Sequence, residues 1–324
     1  MKTKFDARPA ALLAFLMLFT VCPLLSQRTP TQRLTHAYLL EKEGKPTPAI
    51  LELQGLLDSR SLDTASTGKA WNILGLAYDD HGDFSLAQHA FEESLHILEN
   101  LPDNIRDYAM ALDDFGELYV ATGQFEIANK LRTKALGLYE KVGDHGGTAR
   151  ASADLAVTAF SQKKVGTGGK YLDRAIKEAR LANDLYDDDR AAISSLKGWQ
   201  AQFDGDLTTS VTSYRQALDL LRKCHGEEHP FTGWGYLLLG EANAEAGQLT
   251  IALVEMRQGI AILDQTLSPQ NPRYLVAKIA YSRILDATGS HSEAAQIRAA
   301  SEPLLKDIYR KQCVGCTMSA IAFH

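Results

Sequence analysis

The sequence predicts an all-α solenoid, in which antiparallel helix pairs stack one after another. A helix-breaking turn recurs every 40–42 residues, and a small residue follows it five positions later. These turns lie at Gly82, Gly123, Lys163, Gly205, Gly247 and Gly289. Hydrophobic residues at helical spacing flank the turns, which is typical of two amphipathic helices that pack together. With an earlier turn at Gly44, the period indicates about seven helix pairs.

The composition agrees with a folded protein that has a large core. Of the 324 residues, 45% are hydrophobic and 23% are charged, which excludes disorder and low complexity as the main state. The formal net charge is -6. Proteins that bind phosphate backbones usually carry a positive excess, so we expect no nucleic-acid partner.

Residues 1–26 are expected to be a secretory signal peptide. Three basic residues precede an apolar run from Ala10 to Val21, which is too short to be a comfortable transmembrane helix. Cleavage before Gln27 would give an exported protein, periplasmic or extracellular. The alternative is an uncleaved segment that anchors the chain to a membrane. We expect no other direct membrane binding.

The clearest repeat lies early in the solenoid, which is expected to span residues 27–310. Its signature residues are Trp71, Leu74, Gly75, Tyr78, Ala87 and Phe91. The first four fall on one helix face, and Gly75 leaves room for the partner helix. This spacing resembles the tetratricopeptide repeat (TPR). The resemblance implies a right-handed superhelical solenoid of about seven units, whose first helices line a concave groove.

The period is longer than the ~34 residues usual for this family, and it resembles the subtype found in kinesin light chains. That subtype often carries an acidic-His-Pro turn before a first helix, as in residues 226–230 here. One unit later, Asn271 stands in place of the histidine and Pro272 follows it.

Carrying the groove positions along the repeats predicts the surface that a partner would contact. We expect that surface to include Asn72, Leu76, Asp79, Asp113, Glu117, Phe160, Trp199, Phe203, Trp234 and Glu241. The early groove is thus predicted to be acidic, and its middle apolar. The place of Trp199 stays open between groove and core, because Lys197 stands where a core leucine is expected.

Two other motifs carry weak chemical signals. The string from His225 to His229 matches an inverted zinc-peptidase motif, but Gly226 and Pro230 interrupt the single helix that such a site needs. The tail at residues 311–324 contains Cys313 and Cys316, a C-x-x-C without the surrounding helix or further ligands that redox or zinc sites use. We expect a local disulfide or spare thiols there.

These observations predict a non-catalytic scaffold without metal or cofactor. Its partner would be a protein or peptide segment held in the groove, or the components of an envelope complex. The alternatives are a redox or metal accessory protein using the C-terminal cysteines, and a self-associating structural module. Because each unit of a solenoid contacts only its neighbours, we also expect a broad unfolding transition.

Overall fold

The computed structural model describes residues 28–183 and 185–312. The expected signal peptide and the tail cysteines therefore lie outside the described residues. The described part is all-helical, without strands, which confirms the predicted fold class. Its helices are α1 (Pro30–Lys42), α2 (Pro46–Ser59), α3 (Thr64–His81), α4 (Phe84–Leu98), α5 (Ile105–Ala121), α6 (Phe125–Lys141), α7 (His145–Ser161), α8 (Val165–Leu181), α9 (Asp187–Phe203), α10 (Leu207–His225), α11 (Pro230–Glu245), α12 (Leu249–Thr266), α13 (Pro272–Ala287) and α14 (His291–Gln312), with a 3-10 turn at Pro102–Asn104.

Consecutive helices form seven pairs, which we call units 1 (α1 and α2) to 7 (α13 and α14). Every unit has one residue with positive φ between its two helices. These residues are Gly44, Gly82, Gly123, Lys163, Gly205, Gly247 and Gly289. They are the predicted turn positions, Gly44 included. None of the described helices has the length and apolar character needed to span a bilayer.

The turn at Gly82 shows how the sequence ends a first helix. Gly82 has a φ of 95°, and its N–H donates to the carbonyl oxygens of Tyr78 and Asp79. The N–H of Asp83 also donates to the Tyr78 oxygen, at 2.8 Å, which completes a Schellman motif. In unit 4 the same conformation falls on Lys163, with a φ of 57°. A left-handed backbone is strained for a residue with a Cβ.

The two helices of a unit pack closely through glycine. A Cβ placed on Gly75 would lie 2.7 Å from Phe91 Cδ1, so this glycine is required for the observed approach, as predicted. The equivalent contact joins Gly198 to Tyr214 in unit 5. Because Gly198 takes the core position, the register of unit 5 is the one carried over from the earlier repeats.

The superhelix closes on itself, which the sequence analysis did not anticipate. Leu53 and Phe84, from units 1 and 2, belong to the same buried hydrophobic cluster as Leu275 and Tyr309 of unit 7. The rings of Phe84 and Tyr309 lie 6.1 Å apart. The expectation that each unit contacts only its neighbours is therefore wrong, and with it the stated reason for a broad unfolding transition.

Two equivalent polar contacts support this closure. Nε2 of His229, at the start of unit 6, donates to the carbonyl oxygen of Lys42 at 2.7 Å, and Nδ1 of the same ring accepts from the Phe231 N–H. One unit later, Nδ2 of Asn271 donates to the carbonyl oxygen of Asp80 at 2.5 Å. The two residues that precede the prolines of the predicted inter-unit turns thus bind the ends of α1 and α3.

Candidate functional site

The acidic early part of the predicted groove receives an arginine from the far end of the chain. Arg273, in the first turn of α13, lies 2.7 Å from Asp79 Oδ2 and 3.4 Å from Asp80 Oδ1. It is also 3.9 Å from Glu117 Oε1. Asp79 is only 4% exposed. The closure of the superhelix therefore supplies the counter-charge for these carboxylates.

A second arginine neutralises the same region from within the core. Arg132 is 1% exposed, and its Nη1 donates to the Asp154 carbonyl oxygen and to Thr158 Oγ1, both at 2.7 Å. Its Nη2 donates to Glu117, and its Nε lies 3.7 Å from Asp113 Oδ1. Glu117 thus connects the two guanidinium groups. We call Asp79, Asp113, Glu117, Arg132 and Arg273 the charged network.

Burial and counter-charge act in opposite directions on these carboxyl groups. Burial raises the pKa of Asp79 to about 6, although Arg273 acts to lower it. Burial and the neighbouring Asp154 raise the pKa of Asp113 well above its ordinary value. For Glu117, burial is outweighed by Arg132 and Arg273, and its pKa is lowered. The charged network therefore contains carboxyl groups of quite different proton affinity.

Asn72 and Leu76, which lie beside the charged network, also make contacts inside the protein. Asn72 is 4% exposed, and its Nδ2 donates to Asp114 Oδ2 at 2.7 Å. Leu76 is half-buried against the hydrophobic cluster shared by units 1, 2 and 7. Asn72, Asp79 and Asp113 are each 4% exposed, so their assignment to the partner surface is wrong: burial keeps them from a partner.

Three residues predicted for the middle of the groove, Phe160, Trp199 and Phe203, form an aromatic cluster. Ring centroids lie 5.5 Å apart for Phe160 and Trp199, and 5.8 Å apart for Phe160 and Phe203. Trp199 and Phe203 stack at 6.3 Å with an interplanar angle of 17°. The cluster joins the first helices of units 4 and 5, and Phe203 is 38% exposed.

The three aromatic residues have different environments. Phe160 is only 1% exposed, so its assignment to the partner surface is corrected here: it is a core residue. The Phe160 ring packs against Gly168. A Cβ on Gly168 would lie 2.3 Å from that ring, so the glycine is what leaves room for it. Trp199 follows the core residue Gly198 and is half-buried. Phe203 presents the most open ring of the cluster.

Trp234 and Glu241, which were predicted for the later groove, both lie on α11. Trp234 is half-buried against the hydrophobic cluster of units 6 and 7. Burial raises the pKa of Glu241 to about 8, against an opposing effect of Arg283 and a reinforcing one of Glu245. The carboxyl group of Glu241 is therefore mostly protonated at neutral pH.

The two histidines of the zinc-peptidase string do not share a helix. His225 is the last residue of α10, and His229 caps the start of α11. Their rings stack 4.2 Å apart, and His225 contacts Asp188 Oδ1 at 2.6 Å. Among the described residues no group of three or more His, Cys, Asp or Glu side chains is arranged to hold a metal.

Sequence reasoning missed both arginines of the charged network. Arg132 follows Phe91 by 41 residues and occupies the same place in its unit, where a Cβ on Gly116 would lie 2.8 Å from Arg132 Cγ. The charged residue at the position that Phe91 occupies in its unit could therefore have been recognised from the sequence. Arg273 gave no comparable signal, because its partners lie almost 200 residues earlier in the chain.

No protein-family model matches the chain. No curated protein sequence matches it either. Solved structures do share its fold. BtubC (BKLC) from P. vanneervenii has a TM-score of 0.51 and 17% identity, covering 70% of this chain and 91% of that one. Cut9, in an APC/C hetero-tetramer with Hcn1, has a TM-score of 0.60 and 15% identity. The alignment covers 93% of this chain but 52% of the matched chain.

A further structure is the Rap conjugation gene regulator of plasmid pLS20, in complex with the Phr* peptide. Its TM-score is 0.57 at 16% identity, covering 87% of this chain and 86% of that chain. The fold is a TPR-like solenoid. At these identities the likeness concerns the fold alone.

Proposed function

We propose that this protein is a non-catalytic scaffold that binds a peptide segment of a partner protein in its concave groove. The observation that carries the proposal is the aromatic cluster, in which Trp199 and Phe203, both predicted to contact a partner, stack on α9 and Phe203 is 38% exposed. Partly exposed aromatic side chains are frequent anchors at protein interfaces because they bury much apolar area at low entropic cost. The buried ring of Phe160 packs against both of these side chains.

The charge distribution directs the partner to this middle and later part of the groove. Asp79, Asp113 and Glu117 already have arginine partners, so a peptide gains little there without displacing Arg132 or Arg273. Glu241 differs, because its mostly protonated carboxyl group can donate to a peptide carbonyl. We therefore expect an apolar or aromatic anchor residue in the segment that is bound.

The Rap regulator solved with the Phr* peptide supports this proposal at the level of fold. We extend it with two inferences from sequence. The N-terminal residues favour export, so the partner would belong to the cell envelope or the extracellular space. The repeat length near 42 residues and the turn at residues 226–230 favour the longer, kinesin-light-chain-like subtype.

Affinity purification from the native envelope fraction tests the proposal. The tagged protein would be compared with the variants Phe203→Ala, Trp199→Ala and Trp234→Glu, each checked for folding by circular dichroism. Leu51→Ala is the matched control, because Leu51 is 67% exposed on α2, a second helix of its unit. We expect the groove variants to lose the partner and the control to retain it.

Two outcomes would contradict the proposal. Recovery of the same partners by folded Phe203→Ala and Trp199→Ala proteins would show that the groove is not the binding surface. Sedimentation in which the molecular mass rises with concentration, and in which Phe203→Ala abolishes the rise, would indicate that the groove binds another copy of the chain.

A further inference from the structure

A second candidate site lies away from the groove, at the joint between units 4 and 5. A cavity of about 640 Å³ opens there between the end of α8, the residues Ala182 and Leu185, and the helices α9 and α10. Cavities of ~300–1,000 Å³ are of the size that holds small ligands. No residue of the charged network or the aromatic cluster lines it.

One lining residue of the cavity, Lys197, departs from the repeat pattern. Equivalent positions in five other units hold buried hydrophobic residues, each at most 5% exposed, namely Leu74, Phe115, Leu155, Leu239 and Tyr281. A lysine ammonium group cannot be buried there without a large desolvation cost, so the side chain of Lys197 stays exposed. Lys197 is also one of the residues that line the cavity.

The charged residues that line the cavity are all basic. Arg180, Arg190 and Lys197 line it, and none of its described lining residues is acidic. Arg190 lies 3.7 Å from Asp187, but both side chains are substantially exposed, so this pair is weak. Arg180 and Lys197 have no ion-pair partner within the described part of the chain. Three like charges around a concave surface attract an anion.

The rest of the lining is mostly apolar. Ile193 and Leu185 are buried, and Ile176 and Leu220 complete the apolar surface. The Ser194 hydroxyl donates to the Ser213 carbonyl oxygen at 2.8 Å and lies 3.3 Å from Gln216 Oε1; Ser194 and Gln216 are the uncharged polar residues of the lining. A matching ligand therefore has an anionic head and an apolar body.

We propose that this cavity binds an amphipathic organic anion, such as a carboxylate with an aliphatic chain. The carboxylate would lie among Arg180, Arg190 and Lys197, and the chain would cover Ile193 and Leu185. This site is independent of the proposed peptide groove.

Calorimetric titration of the whole protein with decanoate, below its micellar concentration, tests the proposal. We expect saturable binding of decanoate. The uncharged 1-decanol should bind at least about tenfold more weakly, because hydrogen bonds to a charged group contribute a binding free energy of that size. Lys197→Leu should weaken decanoate binding by about tenfold or more, since it removes a charge and fills the cavity. This variant restores the residue type found in other units, so it should melt no lower than the parent.

Lys177→Leu is the matched control, because Lys177 is exposed on α8 and does not line the cavity. It and Phe203→Ala should both leave decanoate binding within about twofold, as distant sites act independently. Three results would overturn the proposal: no binding of decanoate, equal binding of 1-decanol, or unchanged binding by Lys197→Leu. Displacement of decanoate by an acidic peptide at a lower concentration would instead assign the cavity to a protein partner.

Discussion

Replacing Arg273 by Met should open the contact between the two ends of the chain. The side chain of Arg273 lies 2.7 Å from Asp79 Oδ2, and Asp79 is 4% exposed, so the variant leaves a buried carboxylate without its counter-charge. Removing one partner of a fully buried ion pair costs ~3–5 kcal/mol. The side chain of Arg273 keeps 27% exposure, and solvent screening lowers that figure.

Protonation of Asp79 limits the loss of unfolding free energy in Arg273→Met, and it makes that loss depend on pH. The pKa of Asp79 is already about 6, so neutralising this group at pH 7 requires about 1.4 kcal/mol. Loss of the charge-assisted hydrogen bond adds about 1.5 kcal/mol. We therefore expect Arg273→Met to lower the free energy of unfolding by about 3 kcal/mol at pH 7. At pH 5 Asp79 is protonated in both proteins, and the loss should fall to about 1.5 kcal/mol.

Urea unfolding followed by circular dichroism at pH 7 and pH 5 measures both values. Arg310→Met is the matched control, because the side chain of Arg310 is 76% exposed and, within residues 28–183 and 185–312, forms an ion pair with Asp307 of its own helix. It should cost less than about 0.5 kcal/mol. If Arg273→Met is no more destabilising than this control at pH 7, the ion pairs of Arg273 do not hold the superhelix closed. A loss that grows on acidification would contradict the assignment to Asp79.

Three further predictions concern local features of the array. Lys163→Gly should raise the free energy of unfolding by about 1 kcal/mol, because it relieves the positive φ of 57°, whereas Gly205→Ala should lower it by a similar amount; thermal melts of both variants check this. Gly75→Ala should lower it by about 1–3 kcal/mol, since the new Cβ would meet the Phe91 ring at 2.7 Å, and urea unfolding measures the loss. Glu241 has a folded-state pKa of about 8, above its ordinary 4.5, so the parent loses stability as pH rises through that window. Glu241→Gln should therefore stabilise the protein by about 2 kcal/mol at pH 7 and by almost nothing at pH 4, and equal gains at both pH values would contradict the shifted pKa.

The local architecture was predictable from the sequence because each unit repeats the same short-range physics. A residue with positive φ ends every first helix, and glycine fills that place in six units, so the period could be read directly. The register around Trp199 was open only because Lys197 interrupts the hydrophobic stripe. The contact of Gly198 with Tyr214 decides it.

The closure of the superhelix could not be predicted from the sequence, because it depends on the summed rotation between successive units. The hydrogen bond from His229 to Lys42 joins residues 187 positions apart, and nothing local to either residue indicates it. Phe160 was misassigned for a different reason. The equivalent residues Asp79 and Val120 are also buried, at 4% and 9% exposure, so this position is covered in several units, and in unit 4 the Phe160 ring packs against Gly168.

The proposed peptide groove is tested most directly by site-specific photocrosslinking in cells that produce the protein naturally. Benzoylphenylalanine would replace Phe203 in one protein and Leu51 in another, and mass spectrometry would identify the crosslinked peptides. We predict that position 203 captures a partner segment containing an apolar or aromatic residue, and that position 51 does not. Crosslinks from position 51 to the same segment, or none from position 203 while the partner still co-purifies, would contradict the groove as the binding surface.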